Sequence, residues 1–378
     1  MPTPLPSPGA EDLQPPDRDQ AEFVARGITA ACQPADGPTE LQALVLGALC
    51  RSMTGHDFDI YGLAPISAAE FARGLAGRNE PFRTRILQLM ELGHMILPAA
   101  DVDVADRVIE FAVELSVAND CVYLAREMAE GSRQLVAADF DRNQYLMNLD
   151  LSGFTPLQTE DDKAWAWTNT AVHEDLAAKW RAFGDLPEGT LGRMVHSFYQ
   201  ARGFRFPGEA GSAPPLLAQH DFVHVIGDYA SNVESELEVF AFIARASDDP
   251  SAFALLAMVI NLFQSGHLSG AAGIFEADPG HLDAEGMPER LADAFRRGAL
   301  VSGSVDFLAE NYWALAERPI DDVREHFGIV PKSTLALDAG SLSPWDAGGM
   351  SVYQREAGRE LASEQGRSYD DHGASVPA

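Results

Sequence analysis

The stretch Arg85-Ile86-Leu87-Gln88-Leu89-Met90-Glu91-Leu92-Gly93-His94-Met95-Ile96-Leu97 decides the fold class. Within it Ile86, Leu89, Met90, Gly93, Ile96 and Leu97 recur at intervals of mostly three and four, the spacing that lines one face of a helix. Val108, Phe111, Ala112 and Leu115 repeat the pattern further on. Alternating apolar and polar runs bounded by turn pairs, the mark of half-buried strands, are nearly absent. The sequence predicts an all-α protein.

Helix punctuation agrees. Pro319 stands where a first-turn proline belongs, Asp321 and Asp322 follow at the positive end of the helix dipole, and Gly328 closes the segment. Asp249-Pro250-Ser251 likewise opens the apolar run Phe253 to Phe263. That run is too short to cross a bilayer, which takes roughly 20 residues, and suits a buried helix. Four segments result. Residues 1–22, with Pro2, Pro4, Pro6, Pro8, Pro15 and Pro16, read as a disordered lead-in, and 23–150 as a first helical region. Asp150-Leu151-Ser152-Gly153-Phe154-Thr155-Pro156 interrupts the helical pattern before a second helical region over 160–332. Residues 333–378, where glycine, serine and aspartate are frequent, read as a disordered tail.

The charge balance narrows the partners. Aspartate and glutamate number 57 against 27 lysines and arginines, a net charge of −30, which excludes a basic grip on nucleic acid and disfavours adsorption to anionic lipid. With 46% hydrophobic and 22% charged residues the chain is globular rather than an acidic disordered polymer. Cys32, Cys50 and Cys121 lie far apart and are odd in number, so they offer neither a disulfide framework nor a C-x-x-C pair. A reduced, cytoplasmic setting is expected, with membrane contact at most peripheral, at the inner face.

The chemistry concentrates at His220-Asp221-Phe222-Val223-His224. Two histidines four apart on a helix lie about 40° from one another and can reach a single metal ion. Asp221 lies about 100° round from His220, close enough for a carboxylate to swing toward the same point. Glu236 would be about 18 Å further along one straight helix, beyond any shared ion. A reversal solves this: Gly227 can end the first helix, and Ser231-Asn232-Val233-Glu234 reads as a capping box opening a second. The mixed nitrogen and oxygen donors suit Zn²⁺, Fe²⁺ or Mn²⁺. The same residues also fit a satisfied polar pair or a surface cluster in so acidic a chain.

His220-Asp221-x-x-His224 followed by eleven residues and Glu236 resembles the H-D-x-x-H-(x)11-E signature of the Coq-four family of coenzyme Q (ubiquinone) biosynthesis proteins. Leu186-Pro187-Glu188-Gly189-Thr190-Leu191-Gly192 resembles the family's approach to the motif, and Gln264-Ser265-Gly266 with Ser269-Gly270-Ala271-Ala272-Gly273 its following segment. Arg296-Arg297-Gly298 and Pro319-Ile320-Asp321-Asp322-Val323-Arg324-Glu325-His326-Phe327-Gly328-Ile329 are similar to its C-terminal end, so the likeness spans about residues 180–330. The resemblance implies an all-helical protein that binds a divalent metal, zinc first, through His220, Asp221, His224 and Glu236. It implies metal-dependent lyase chemistry: loss of the C1 carboxyl, with hydroxylation, from a polyprenylated 4-hydroxybenzoate-type quinone precursor. The alternative it leaves open is a non-catalytic lipid-binding scaffold of other quinone-biosynthesis enzymes, with a structural metal. The chain departs from the family in Pro214-Pro215-Leu216-Leu217-Ala218-Gln219, where tyrosine and arginine are usual, and in its long N-terminal half.

Other candidates read as structural. Glu91-x-x-His94 is half of the pattern a carboxylate-bridged di-iron bundle uses, and without a second copy His94 is expected in the core. His56-Asp57 reads as a surface loop. The glycines from Gly266 to Gly273 lack the lysine and preceding strand of a phosphate-binding loop. Trp165, Trp167 and Trp180, with His173 and Glu174, read as packing and surface residues, and the Phe253 to Phe263 helix as core or as the wall of a groove for a prenyl tail.

Overall fold

A computed structural model describes residues 17–97, 101–117, 172–212, 217–247 and 280–369, with helical positions at 256, 259, 260 and 263. Among these residues there are fourteen α-helices and no strand, only an isolated antiparallel bridge between Thr190 and Pro319. No helix among them is long and apolar enough to cross a membrane.

The first five helices are α1 (Arg18–Cys32), α2 (Glu40–Thr54), α3 (Ala68–Gly74), α4 (Glu80–Met95) and α5 (Val102–Glu114). The start of α1 is set by Asp17, whose side chain accepts from Gln20 N, so the helix begins inside the expected lead-in; residues 1–16 lie outside the described part. Thr39 and Gln42 close a reciprocal capping box on α2, and Gly55 ends it in the left-handed region with φ 73°. The Gln42 side chain then turns inward and donates to the carbonyls of Cys32 and Gly93, both at 2.7 Å, tying α1 to α4. In α4 and the residues just after it, the stripe from Ile86 to Leu97 is buried as its spacing predicts. Leu87, Leu92, Glu91 and His94 are buried too, so this helix is enclosed nearly all round. α1 packs on all four of its companions, and Phe71 of α3 fills the space left by Gly27.

The later helices are α6 (Glu174–Arg181), α7 (Leu191–Arg202), α8 (Leu217–Gly227), α9 (Val233–Ala246), α10 (Met287–Ala299), α11 (Tyr312–Leu315), α12 (Ile320–Phe327), α13 (Thr334–Asp338) and α14 (Val352–Glu364). The pairing of α9 with α10 is the most extensive among the described elements. Gly298 permits it, because a Cβ there would stand 2.3 Å from the carbonyl oxygen of Phe242. α2 lies on α10 as well, with Arg51 reaching Glu289 at 3.5 Å, and one apolar core runs from Ile28 to Phe327. Pro319 caps α12 and Gly328 closes it with φ 67°, matching the sequence reading to within a residue.

The expected disorder beyond residue 332 is corrected through residue 369. Ser333 caps α13, and Ser351 with Gln354 forms a capping box on α14, which packs along α7. Glycine and serine here encode ordered turns and caps: Gly340 and Gly348 take φ values of 89° and 87°. Residues 370–378, the divide at 150–160, Trp165, Trp167, Cys121 and the stretch Gly266 to Gly273 lie outside the described residues. So does most of Phe253 to Phe263, although Leu256, Val259, Ile260 and Phe263 are buried in the core.

Candidate metal centre

α8 ends as glycine and a helix break predict. Gly227 is its last residue, Asp228 takes φ 61°, and Tyr229 N returns to the His224 carbonyl at 2.9 Å. Arg324 of α12 donates to the carbonyls of Ile226 and Val225, at 3.0 and 3.1 Å, satisfying the helix end. The cap of α9 differs by one residue from the expected box. Asn232, not Ser231, accepts from Ser235 N at 3.0 Å, while Glu234 pairs with His281 Nδ1 at 2.8 Å. The reversal itself is present, and it sets the first turn of α9 against the histidines of α8.

His220, Asp221 and His224 offer ligand atoms within 4.8 Å of one another. Glu236 joins them across the reversal, with Oε1 3.2 Å from His224 Nε2 and Oε2 3.5 Å from His220 Nε2. Asp221 Oδ1 stands 3.5 Å from His220 Nε2. All four are buried, His220 and Asp221 at 5% exposure, Glu236 at 2% and His224 at 0%.

Each donor is held from behind. His224 Nδ1 lies 2.7 Å from the carbonyl oxygen of Ala230 and 3.2 Å from that of Tyr229. A carbonyl only accepts, so Nδ1 donates to this backbone and Nε2 is the nitrogen turned toward the cluster. The His224 ring stacks on Phe198 at 5.3 Å, and His220 stacks on Phe240 at 5.4 Å. Tyr199 of α7 donates its hydroxyl to Asp221 Oδ2 at 2.5 Å. Nothing near Tyr199 in sequence announced this contact: it comes from another helix, 22 residues away.

Burial and the neighbouring imidazoles move the two carboxyls in opposite directions. Burial pushes Asp221 up from its ordinary value, against the pull of His220, His224 and the Tyr199 hydroxyl. Burial also acts to raise Glu236, but His224 and His220 outweigh it and hold the carboxyl at about 2. Arg202 lies over the Phe198 ring at 3.7 Å; burial lowers it to about 9 while Asp221 pulls the other way, so it stays cationic. His224 Nε2 is buried and faces Glu236 Oε1 at 3.2 Å. A second proton on the imidazole or a cation shared with His220 and Asp221 would satisfy this contact, which burial makes costly to leave unmet. The donor set of two imidazoles and two carboxylates suits Zn²⁺, Fe²⁺ or Mn²⁺.

The remaining candidates behave as structure. Burial raises the Glu91 carboxyl well above its usual range and lowers His94, disfavouring the charged form of each inside α4. Asp57 pairs with Arg51 at the surface. His173 caps α6 by accepting from Leu176 N at 3.3 Å, and Trp180 sits fully buried among Phe183, Tyr199, Phe206 and Phe222. Burial pushes both Cys32 and Cys50 up to about 12, leaving neither thiol reactive.

No protein-family profile matches the chain. No curated protein matches it either. Among solved structures, a Nostoc punctiforme protein described as a candidate ubiquinone biosynthesis protein is similar at 16% identity and a TM-score of 0.31. The match covers 66% of this chain and 98% of that one.

Proposed function

We propose that this chain is a metal-dependent protein of the ubiquinone-biosynthesis type, in which His220, Asp221, His224 and Glu236 hold one divalent cation. Zn²⁺ is the first choice, with Fe²⁺ and Mn²⁺ accepted by the same donors. The observation that carries the reading is the buried convergence of His220, Asp221, His224 and Glu236, with Glu236 Oε1 3.2 Å from His224 Nε2 and Oε2 3.5 Å from His220 Nε2, inside a motif of H-D-x-x-H-(x)11-E spacing.

The proposed substrate is a polyprenylated 4-hydroxybenzoate-type quinone precursor, and the proposed reaction replaces its C1 carboxyl by a hydroxyl, releasing CO2 and passing two electrons to an external oxidant such as dioxygen, which is a required co-substrate. When bound, the ion supplies Lewis acidity toward a ring carboxylate and its neighbouring phenolic oxygen. The chain's own residues position and shield. Ala230 and Tyr229 fix the His224 tautomer, Phe198 and Phe240 hold the two imidazole planes, and Tyr199 holds Asp221.

The depth of the site favours a second reading. Glu236 and His224 are almost wholly enclosed, as in structural metal sites, and the protein would then be a scaffold binding an isoprenoid lipid and other quinone-biosynthesis enzymes. Quinone profiling of a deletion strain separates the two. The enzyme reading expects a carboxylated prenyl precursor to accumulate and to clear on complementation with wild type but not with Glu236→Gln. Loss of quinone without any carboxylated precursor supports the scaffold, and an unaltered quinone profile removes both.

A further inference from the structure

Tyr199 stands behind the candidate metal centre without belonging to the H-D-x-x-H-(x)11-E pattern. It is 1% exposed on α7, and its ring is immobilised by neighbours. Phe206 stacks on it at 5.4 Å with an interplanar angle of 12°, Trp180 lies at 5.3 Å, and Phe204 meets it edge-on at 5.5 Å. The hydroxyl has one place to go, Asp221 Oδ2 at 2.5 Å. A hydroxyl bonded to a carboxylate at this distance is a charge-assisted, strong contact. The other carboxylate oxygen, Oδ1, is the one 3.5 Å from His220 Nε2.

Resting on the metal reading above, we propose that Tyr199 is a positioning residue that makes Asp221 a one-oxygen ligand. The hydroxyl keeps Oδ2 engaged, so the carboxylate presents Oδ1 alone to the cluster formed with His220, His224 and Glu236. A carboxylate free to use both oxygens can close around a cation and fill one more position. Held by Tyr199, Asp221 leaves that position to an incoming oxygen ligand. The rigid aromatic setting is what makes the hydroxyl effective: a mobile phenol would follow the carboxylate, whereas this one holds it.

Cobalt titration of the full-length protein tests this, because the visible spectrum of Co²⁺ weakens as its coordination number rises. Wild type is expected to bind about one Co²⁺ per chain. Tyr199→Phe keeps the ring and removes only the hydroxyl. It should bind Co²⁺ about 10- to 100-fold more weakly, the usual consequence of losing a partner behind a metal ligand, with a weaker visible band. In an Asp221→Asn background the same change should have no further effect, as a double-mutant cycle requires if Tyr199 acts through Asp221. Asp221→Glu, which keeps the charge but moves the oxygens out of register with the hydroxyl, supplies an independent arm should Tyr199→Phe fold poorly; the same spectral weakening is expected. Wild-type affinity and spectrum in Tyr199→Phe overturn the proposal and leave the metal reading standing. So does an effect that persists undiminished beside Asp221→Asn. A wild-type protein that takes up no Co²⁺, Zn²⁺, Fe²⁺ or Mn²⁺ overturns the metal reading, and the role of Tyr199 with it.

Discussion

Ser231 and Gln354, 123 residues apart, hydrogen-bond to each other twice: the Ser231 hydroxyl donates to Gln354 Oε1 and the Gln354 amide donates to the Ser231 carbonyl, each at 2.9 Å. The pair pins the turn between α8 and α9 to the start of α14. Arg202 reinforces it by donating to Ser231 Oγ at 2.5 Å and to the Pro344 carbonyl at 2.7 Å. Gln354→Ala should therefore cost about 1–3 kcal/mol, because it strands buried polar groups on Ser231. Chemical denaturation checks the figure. Ending the chain at residue 332 should cost more, since Leu361, Ala362 and Met350 leave the core with it. An unchanged midpoint would show that the C-terminal segment adds nothing to the body.

Metal content of purified variants tests the four donors. His224→Ala removes a neutral ligand, and Glu236→Gln keeps the shape while removing a charge. Both should drop occupancy from near one ion per chain to near zero by elemental analysis. A bound ion also stabilises by mass action, about 2.7 kcal/mol at a hundred times Kd, so added Zn²⁺ should raise the wild-type melting temperature and leave both variants unmoved.

His196 sets a pH dependence away from that site. It stacks on Phe206 at 5.2 Å, and burial, with Arg193 and Arg367 nearby, lowers it from 6.5 to about 4. The unfolded chain thus binds this proton more readily than the folded one, and stability rises with pH across the interval. The contribution is fully present above about pH 6.5 and is lost as pH falls toward about 4. Wild type should lose thermal stability over that window, and His196→Phe should flatten the loss. Parallel curves for the two proteins would show that His196 is not its source.

Gly298 tests the pairing that carries Glu236. Gly298→Ala would place a Cβ against the Phe242 backbone, which cannot move aside as a side-chain tip can. Overpacking of this kind costs about 1–3 kcal/mol. A variant as stable as wild type would mean that α9 and α10 tolerate wider separation.

Much of this was legible in the chain. The stripe Ile86 to Leu97 and the frame Pro319 to Gly328 gave helices where helices stand, because local spacing and end residues determine them. Gly227 and the polar residues at 231–234 encoded the reversal that brings Glu236 to His220 and His224, although Asn232 rather than Ser231 does the capping. Tyr199 was not legible, since its partner is chosen by the packing of α7 on α8. The order of 333–369 is hidden in the sequence because turn glycines and capping serines look compositionally like disorder. Its apolar anchors, such as Ala336, Met350 and Leu361, are too sparse to show a period.

The turn between α8 and α9 also carries a consequence for how the molecule is made. Ser231 N donates to the Gly349 carbonyl at 3.0 Å, a partner 118 residues later in the chain. At synthesis rates of about 5–20 residues per second, that partner emerges on the order of ten seconds after the turn itself. Every donor from His220 to Glu236 is then already made, but the scaffold that fixes them is not. A premature stop upstream of Gly349 should therefore yield a chain with an intact motif and an unfinished cluster.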